Sequence, residues 1–195
     1  KVFDKITNKS NSYISNCFKI AIKILKENDC AGLINGPISK KNFLKTNFLG
    51  ITEFLQNKTK TKNRVAMLIF NNKLSVSPIT THLPIKEVHK HITKKKIINQ
   101  VDLIEKFYKK KFNKKPNIAI TGLNPHCESN YKSSEEKRII APAIKYLSKN
   151  RYKIKGPFAA DTVFTKENLK SFDVIIGMYH DQVLTPVKTL FGFDA

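Results

Sequence analysis

The chain has no apolar run of the roughly 18 residues that a membrane-spanning helix needs, no internal repeat and no low-complexity linker. Its start, Lys1-Val2-Phe3-Asp4, lacks the apolar centre of a signal peptide, so the expected compartment is the cytoplasm and no membrane partner is expected. Three cysteines, Cys17, Cys30 and Cys127, are an odd number without a CxxC pair. They exclude a disulfide framework and a zinc-finger spacing. Cys17 and Cys30 read as small core residues, and Cys127 as an inert loop thiol beside His126. No GxGxxG or Walker sequence is present, so nothing local demands a Rossmann or P-loop nucleotide site. Acidic residues are scarce as well: 15 Asp and Glu stand against 36 Lys and Arg, leaving a net charge of +21.

Such a surplus ordinarily favours a polyanionic partner, and a basic nucleic-acid-binding module is one reading of it. The cations are overwhelmingly lysine, however, and accompany abundant Asn and Ile, a mixture that a low-GC coding bias produces by itself. Lys94-Lys95-Lys96, Lys109-Lys110-Lys111 and Lys114-Lys115 lack the aromatic interleaving of a stacking surface. Nucleic acid is therefore the weaker expectation, and a small anionic substrate such as a phosphate ester is served equally well by a positive field. At 195 residues and 41% hydrophobic, the chain can bury a sizeable core and is not a disordered protein.

Periodicity predicts a helix over 8–29, capped by Ser10 or Ser12, then a short strand Ala31-Gly32-Leu33-Ile34. Asn35-Gly36-Pro37 punctuates the chain before a short helix from Ile38. This turn suits an anion, and a plain βα turn suits it equally. Gly50 to Leu55 reads as a loop entering a helix, with Thr52 near the cap. Arg64 to Phe70 and Lys73 to Ser77 read as a hairpin about Asn71-Asn72. Helices follow over 85–92 and 97–112, with His89 and His91 solvated. Asn117 to Thr121 is a strand, Ser133 to Leu147 a helix whose serine and glutamates cap its start, and 152–155 a short strand ahead of a Gly156-Pro157 loop. Asp161 is either a helix cap or a carboxylate facing a cleft. After a short helix over 166–171, Val174-Ile175-Ile176-Gly177 reads as a buried strand. Strands alternating with helices across short Gly/Pro loops argue an α/β fold with a mostly parallel sheet.

Three histidines follow predicted strands. His82 lies after Thr80-Thr81, His126 after Ile118-Ala119-Ile120-Thr121 and His180 after the strand over 174–177. Open α/β sheets bind ligands at the carboxyl ends of their strands. Three imidazoles with an open position are what a catalytic divalent metal asks for.

Six motifs carry a resemblance: Asn35-Gly36-Pro37-Ile38-Ser39-Lys40, Gly50-Ile51-Thr52-Glu53-Phe54, Thr80-Thr81-His82-Leu83-Pro84, Gly122-Leu123-Asn124-Pro125-His126, Ala160-Asp161-Thr162 and Met178-Tyr179-His180-Asp181-Gln182. In order and spacing the sequence resembles 4-hydroxythreonine-4-phosphate dehydrogenases of the pyridoxal phosphate pathway. The resemblance implies a homodimeric three-layer α/β/α enzyme related to isocitrate and isopropylmalate dehydrogenases. It implies a divalent metal (zinc, magnesium or cobalt) held by His82, His126 and His180 in a site shared between subunits. Substrate contacts map onto Thr52, Asp181 and Lys188, with Asp181 and Lys188 in catalytic positions. The family oxidises the secondary alcohol of a small phosphorylated hydroxy-amino acid with NAD or NADP, and the β-keto acid product loses carbon dioxide.

Two departures bear on these expectations. Ile51 stands before Thr52 where the family usually has histidine, which admits a sister dehydrogenase for another four-carbon hydroxy acid phosphate. The family also continues beyond Phe193-Asp194-Ala195 and begins earlier, so residues 1–195 read as the central part of a dehydrogenase chain with an incomplete second domain.

Overall fold

A computed structural model of the chain describes residues 6–27, 30–45, 47–61, 65–127 and 132–192. Arg64 of the expected hairpin, Glu128 of the expected His126 loop, residues 28–29 of the first helix and both ends of the chain lie outside the described residues. The chain divides into two compact units, Lys1–Lys62 and Asn63–Ala195.

The first unit is helical. Helix α1 (Asn8–Lys26) is capped by Thr7 rather than by Ser10 or Ser12. Ser10 occupies the third helical position, where it closes a reciprocal box: its N–H donates to Thr7 Oγ1 and its Oγ accepts from the Thr7 N–H. Helix α2 (Lys40–Phe43) and helix α3 (Ile51–Thr59) follow. Phe18, Phe43 and Phe54 interlock, with ring centroids 5.2–5.9 Å apart. The strand expected at Ala31–Ile34 is absent. That segment is irregular and Ile34 is 99% exposed. A strand needs a ladder partner for its backbone groups, and the described residues of this unit supply none.

The second unit is the α/β body: β1 (Ser75–Thr80), α4 (Ile85–His91), α5 (Lys94–Phe112), β2 (Ile118–Thr121), α6 (Ala141–Lys149), β3 (Ile154–Phe158), α7 (Lys166–Leu169), β4 (Val174–Tyr179) and α8 (His180–Phe191). The four strands form one parallel sheet in the order β1-β4-β2-β3. Alternation along each strand splits the core into two layers. Ile118, Ile120, Val174, Ile176 and Met178 face α4, α5 and α6, packing on Val88, Val101, Ile104 and Leu147. Ala119, Ile175 and Val76 face the other way, against Val163, Phe172, Val183 and Val187. The three-layer α/β/α architecture is therefore as the sequence predicts.

Two strand expectations change. The hairpin reduces to a single antiparallel bridge between Ile69 and Val76, and the strand runs on to Thr80. Asn71 Oδ1 accepts the Lys73 N–H at 2.8 Å, so the turn is closed by a side chain instead of by a ladder. The second change is that β3 continues through Gly156-Pro157, which read as a loop. Proline is tolerated because β3 is an edge strand, as is β1, which carries Pro78. Gly156 is needed there: at φ 136° an added Cβ would lie 2.4 Å from the Ile120 carbonyl oxygen.

Candidate active site at the carboxyl ends of the strands

The strand order sets four chain segments side by side at the carboxyl end of the sheet. His82 comes just after β1, His180 opens α8 directly after β4, His126 follows β2 and Asp161 follows β3. Neighbouring strands lie about 4.8 Å apart, so His82 and His180, on adjacent strands, are within reach of each other.

They meet. The two imidazole rings are 5.9 Å apart between centroids and tilted by 40°. The two side chains are thus neighbours across adjacent strands at one end of the sheet. His180 Nδ1 lies 2.7 Å from Asp181 Oδ1. With Nδ1 engaged by this carboxylate, Nε2 is the other ring nitrogen that a ligand could use. His180 is one-third exposed and Asp181 three-quarters exposed.

His126 is aimed differently. It sits in a 3₁₀ turn, Pro125–Cys127, with φ 57° at His126 and φ 56° at Cys127. Two successive non-glycine residues in the left-handed region cost about 1–2 kcal/mol each, so the surrounding loop must hold them there. Nδ1 of His126 lies 3.7 Å from Asp161 Oδ2. Of its two expected roles Asp161 does not fill the helix cap, since Thr165 takes the N-cap position of α7; it lies beside His126. Both groups are well exposed, so this ion pair contributes little to stability. Burial pushes the Cys127 thiol upward, with Glu136 and Asp161 adding to the shift against a backbone hydrogen bond at Gly122. It stays protonated, as an inert loop thiol should.

Beneath these groups lies a buried polar layer. Gln182 Oε1 accepts from Thr121 Oγ1 at 2.8 Å and from the Met178 N–H at 2.7 Å, while its Nε2 donates to the Gly122 carbonyl at 2.8 Å. One side chain on α8 thereby ties the ends of β2 and β4. Gly177 lets α8 come this close, because a Cβ there would lie 2.5 Å from Val183 Cγ1. Glu136 opens a π turn, Glu136–Ile140, ahead of α6. It does not cap its own helix as its position suggested. Its Oε1 accepts the N–H groups of Leu123 and Asn124, both at 2.8 Å. Burial alone would raise the Glu136 pKa, yet hydrogen bonds from the Asn124 backbone and side chain, with others from the backbone, hold it below the usual carboxylate value.

A cleft of about 390 Å³ opens beside this layer, lined by Val88, Leu123, Asn124, Glu135 and Tyr179. Lys188 is exposed on α8, two turns beyond His180. Thr52 lies in the first unit as the second residue of α3, half-buried. Among the described residues no group of three or more His, Cys, Asp or Glu side chains is arranged to hold a metal ion. The chain therefore brings His82 and His180 together and pairs His126 with Asp161.

The sequence matches the family model described as pyridoxal phosphate biosynthetic protein PdxA over residues 2–195. The chain belongs to the PdxA family. It is 42% identical over 174 residues to the 4-hydroxythreonine-4-phosphate dehydrogenase of Sulfurihydrogenibium sp. (strain YO3AOP1), covering 87% of this chain and 53% of that protein. The enzyme of the same name from Wigglesworthia glossinidia brevipalpis is 36% identical over 197 residues, covering 96% of this chain and 58% of its own length. The chain spans about half the length of the curated PdxA relatives it matches. Among solved structures, the 4-hydroxythreonine-4-phosphate dehydrogenase of Klebsiella pneumoniae superposes with a TM-score of 0.84 at 28% identity, over 96% of this chain and 58% of that one. A terephthalate 1,2-cis-dihydrodiol dehydrogenase from Burkholderia xenovorans LB400 shares the fold at TM-score 0.72 and 18% identity. No helix among the described residues is long and apolar enough to cross a membrane.

Glu136 and Gln182 were not expected from the sequence as parts of this PdxA site. Gln182 carried a signal, being a lone amide ahead of the apolar pair Val183-Leu184 and directly after His180-Asp181. Glu136 carried none, because the second of two glutamates at a helix start reads as a dipole partner.

Proposed function

We propose that the chain forms the central part of a cytoplasmic, homodimeric oxidoreductase of pyridoxal 5'-phosphate biosynthesis. On this reading the enzyme oxidises 4-phosphooxy-L-threonine with NAD or NADP to a β-keto acid that decarboxylates. The observation that carries the proposal is the His82–His180 pair, ring centroids 5.9 Å apart, with Asp181 orienting His180 at the ends of adjacent strands. The family match and the names of the relatives supply the reaction class.

His82 and His180 would hold a divalent ion through outward nitrogens, with His126 as the third ligand. On this reading the site is completed across a dimer, with His82 and His180 held together in one chain. A divalent ion held there would supply Lewis acidity toward a hydroxyl or carbonyl oxygen of the substrate. Asp181, exposed beside His180, orients the substrate and exchanges a proton at its Oδ atoms. Lys188 offers its Nζ to a phosphate or carboxylate, and Thr52 Oγ1 a hydrogen bond to the substrate. The surplus of lysine draws an anionic substrate toward the cleft, an effect that added salt weakens.

The test is NAD(P)-linked oxidation of 4-phosphooxy-L-threonine by the protein from the full reading frame, alongside metal content by plasma emission. Alanine at His82, His126 or His180 should abolish turnover and remove the metal. Full metal occupancy in all three variants would sink the ligand assignment. Turnover of a different four-carbon hydroxy acid phosphate, with none of 4-phosphooxy-L-threonine, would replace the substrate.

A further inference from the structure

The peptide group joining Gly122 to Leu123 is gripped from both sides by buried side chains. Its carbonyl accepts from Gln182 Nε2 at 2.8 Å and its N–H donates to Glu136 Oε1 at 2.8 Å. Glu136 is 3% exposed and Gln182 9% exposed. Glu136 also takes the next N–H, that of Asn124, and its Oε2 accepts from Asn124 Nδ2 at 2.9 Å. Gln182 spends its remaining capacity on Thr121 and Met178. The two residues come from different elements, the π turn ahead of α6 and the first turn of α8, and converge on one peptide plane.

We infer that Glu136 and Gln182 are positioning residues that fix this peptide as the anchor from which Asn124-Pro125 projects His126. The inference rests on the reading in which His126 works in the site. A buried carboxylate desolvated at this cost is unnecessary for capping a helix, since Ser134 already serves that start: its Oγ accepts the Lys137 N–H at 3.3 Å and its carbonyl the Arg138 N–H at 3.0 Å. The grip also explains how the loop sustains left-handed conformations at both His126 and Cys127. Strain of that kind persists only where its surroundings over-determine it. Because Gln182 follows His180 and Asp181 on the same helix, one amide sets the His126 loop in register with the His180 end of β4.

The experiment compares the protein from the full reading frame with its Glu136→Gln, Gln182→Met and Tyr108→Phe variants. The last removes a buried hydrogen bond to Ser75, 2.9 Å long, at the opposite end of the sheet. Amide hydrogen exchange is followed at Leu123 and Asn124, and imidazole resonances by proton–nitrogen correlation. Exchanging the charged acceptor for a weaker amide oxygen, whose Nε2 would face the donating Asn124 Nδ2, should raise exchange at these amides by about tenfold or more and move the His126 resonance. Tyr108→Phe, with a comparable fall in melting temperature, should do neither. If Glu136→Gln does not fold, Asn124→Ala, which leaves the backbone bonds, should move the His126 resonance alone. Unchanged exchange and an unmoved His126 signal in folded Glu136→Gln and Gln182→Met would overturn the inference. An intact grip beside a His126→Ala variant that keeps its metal would instead overturn the ligand reading and leave the grip standing.

Discussion

The two ends of one sheet use polar groups in opposite ways. At the amino end Asp173 accepts the Asn117 N–H on Oδ2 at 2.8 Å, pairs with Lys114 through Oδ1 at 2.6 Å, and gives its carbonyl to the Ser75 N–H at 3.0 Å. Together these bonds tie the segments leading into β2 and β4 to each other and to the first residue of β1. At the carboxyl end the tying is done underneath, by Gln182 and Glu136, while His126, Asp161 and Asp181 are left 60–75% exposed. A fold frees its outward groups for chemistry only where an inner layer has already satisfied the backbone.

That contrast predicts a gradient of effects on stability, with metal binding running the other way. Asp173→Ala should cost about 2–3 kcal/mol by urea unfolding, because it orphans the Asn117 N–H and a lysine, and should leave metal uptake unchanged. Loss of metal in this variant would break the distinction between the ends. Glu136→Gln should cost about 1–2 kcal/mol at neutral pH. The folded carboxyl titrates below its ordinary value, so its contribution is complete above the unfolded pKa of about 4.3 and disappears as pH falls through the folded value. Melting curves of both proteins from pH 7 to 3 should therefore converge toward acid.

Tyr152, just ahead of β3 at the amino end, gives the mirror case. Burial first, and then Asp102, which accepts its hydroxyl proton at 3.1 Å, push its phenol up to about 12. Tyr152→Phe should cost roughly 1 kcal/mol. The difference should hold below the unfolded pKa of about 10 and vanish as pH rises through the folded value. Smallest is His180→Ala, which should move stability by less than about 0.5 kcal/mol while removing bound metal. A large stability loss there would make His180 a structural residue and erase the contrast.

Much of the second unit was legible because its signals are local. The β-branched run 174–177 forms β4 with His180 directly beyond it, and α4, α5 and β2 fall within a few residues of their expected bounds. What was not legible depends on partners distant in sequence. Ala31–Ile34 looks like a strand to any periodicity rule, but a strand exists only if another segment pairs with it. Gly156-Pro157 looks like a loop until the strand order makes β3 an edge, where a missing N–H costs little. The role of Glu136 is set by a loop thirteen residues earlier in the chain, at Leu123, and no spacing rule reaches across that turn. His82, His126 and His180 could be read as strand-end residues one by one; that the first and last touch follows from β4 lying between β1 and β2.

The same insertion has a consequence for the order in which the protein is made. β4 pairs Ser75 with Val174, partners about 100 residues apart, and pairings of that separation are slow to form. As the chain leaves the ribosome, β1 and β2 appear early with the space between them empty, and β2 with β3 forms a ladder of its own. Of these four strands the central β4 is made after the other three, and it brings Gln182 and His180 with it. Until then the apolar faces of Val76 and Ile118 have no central neighbour, which leaves them open to aggregation during that interval.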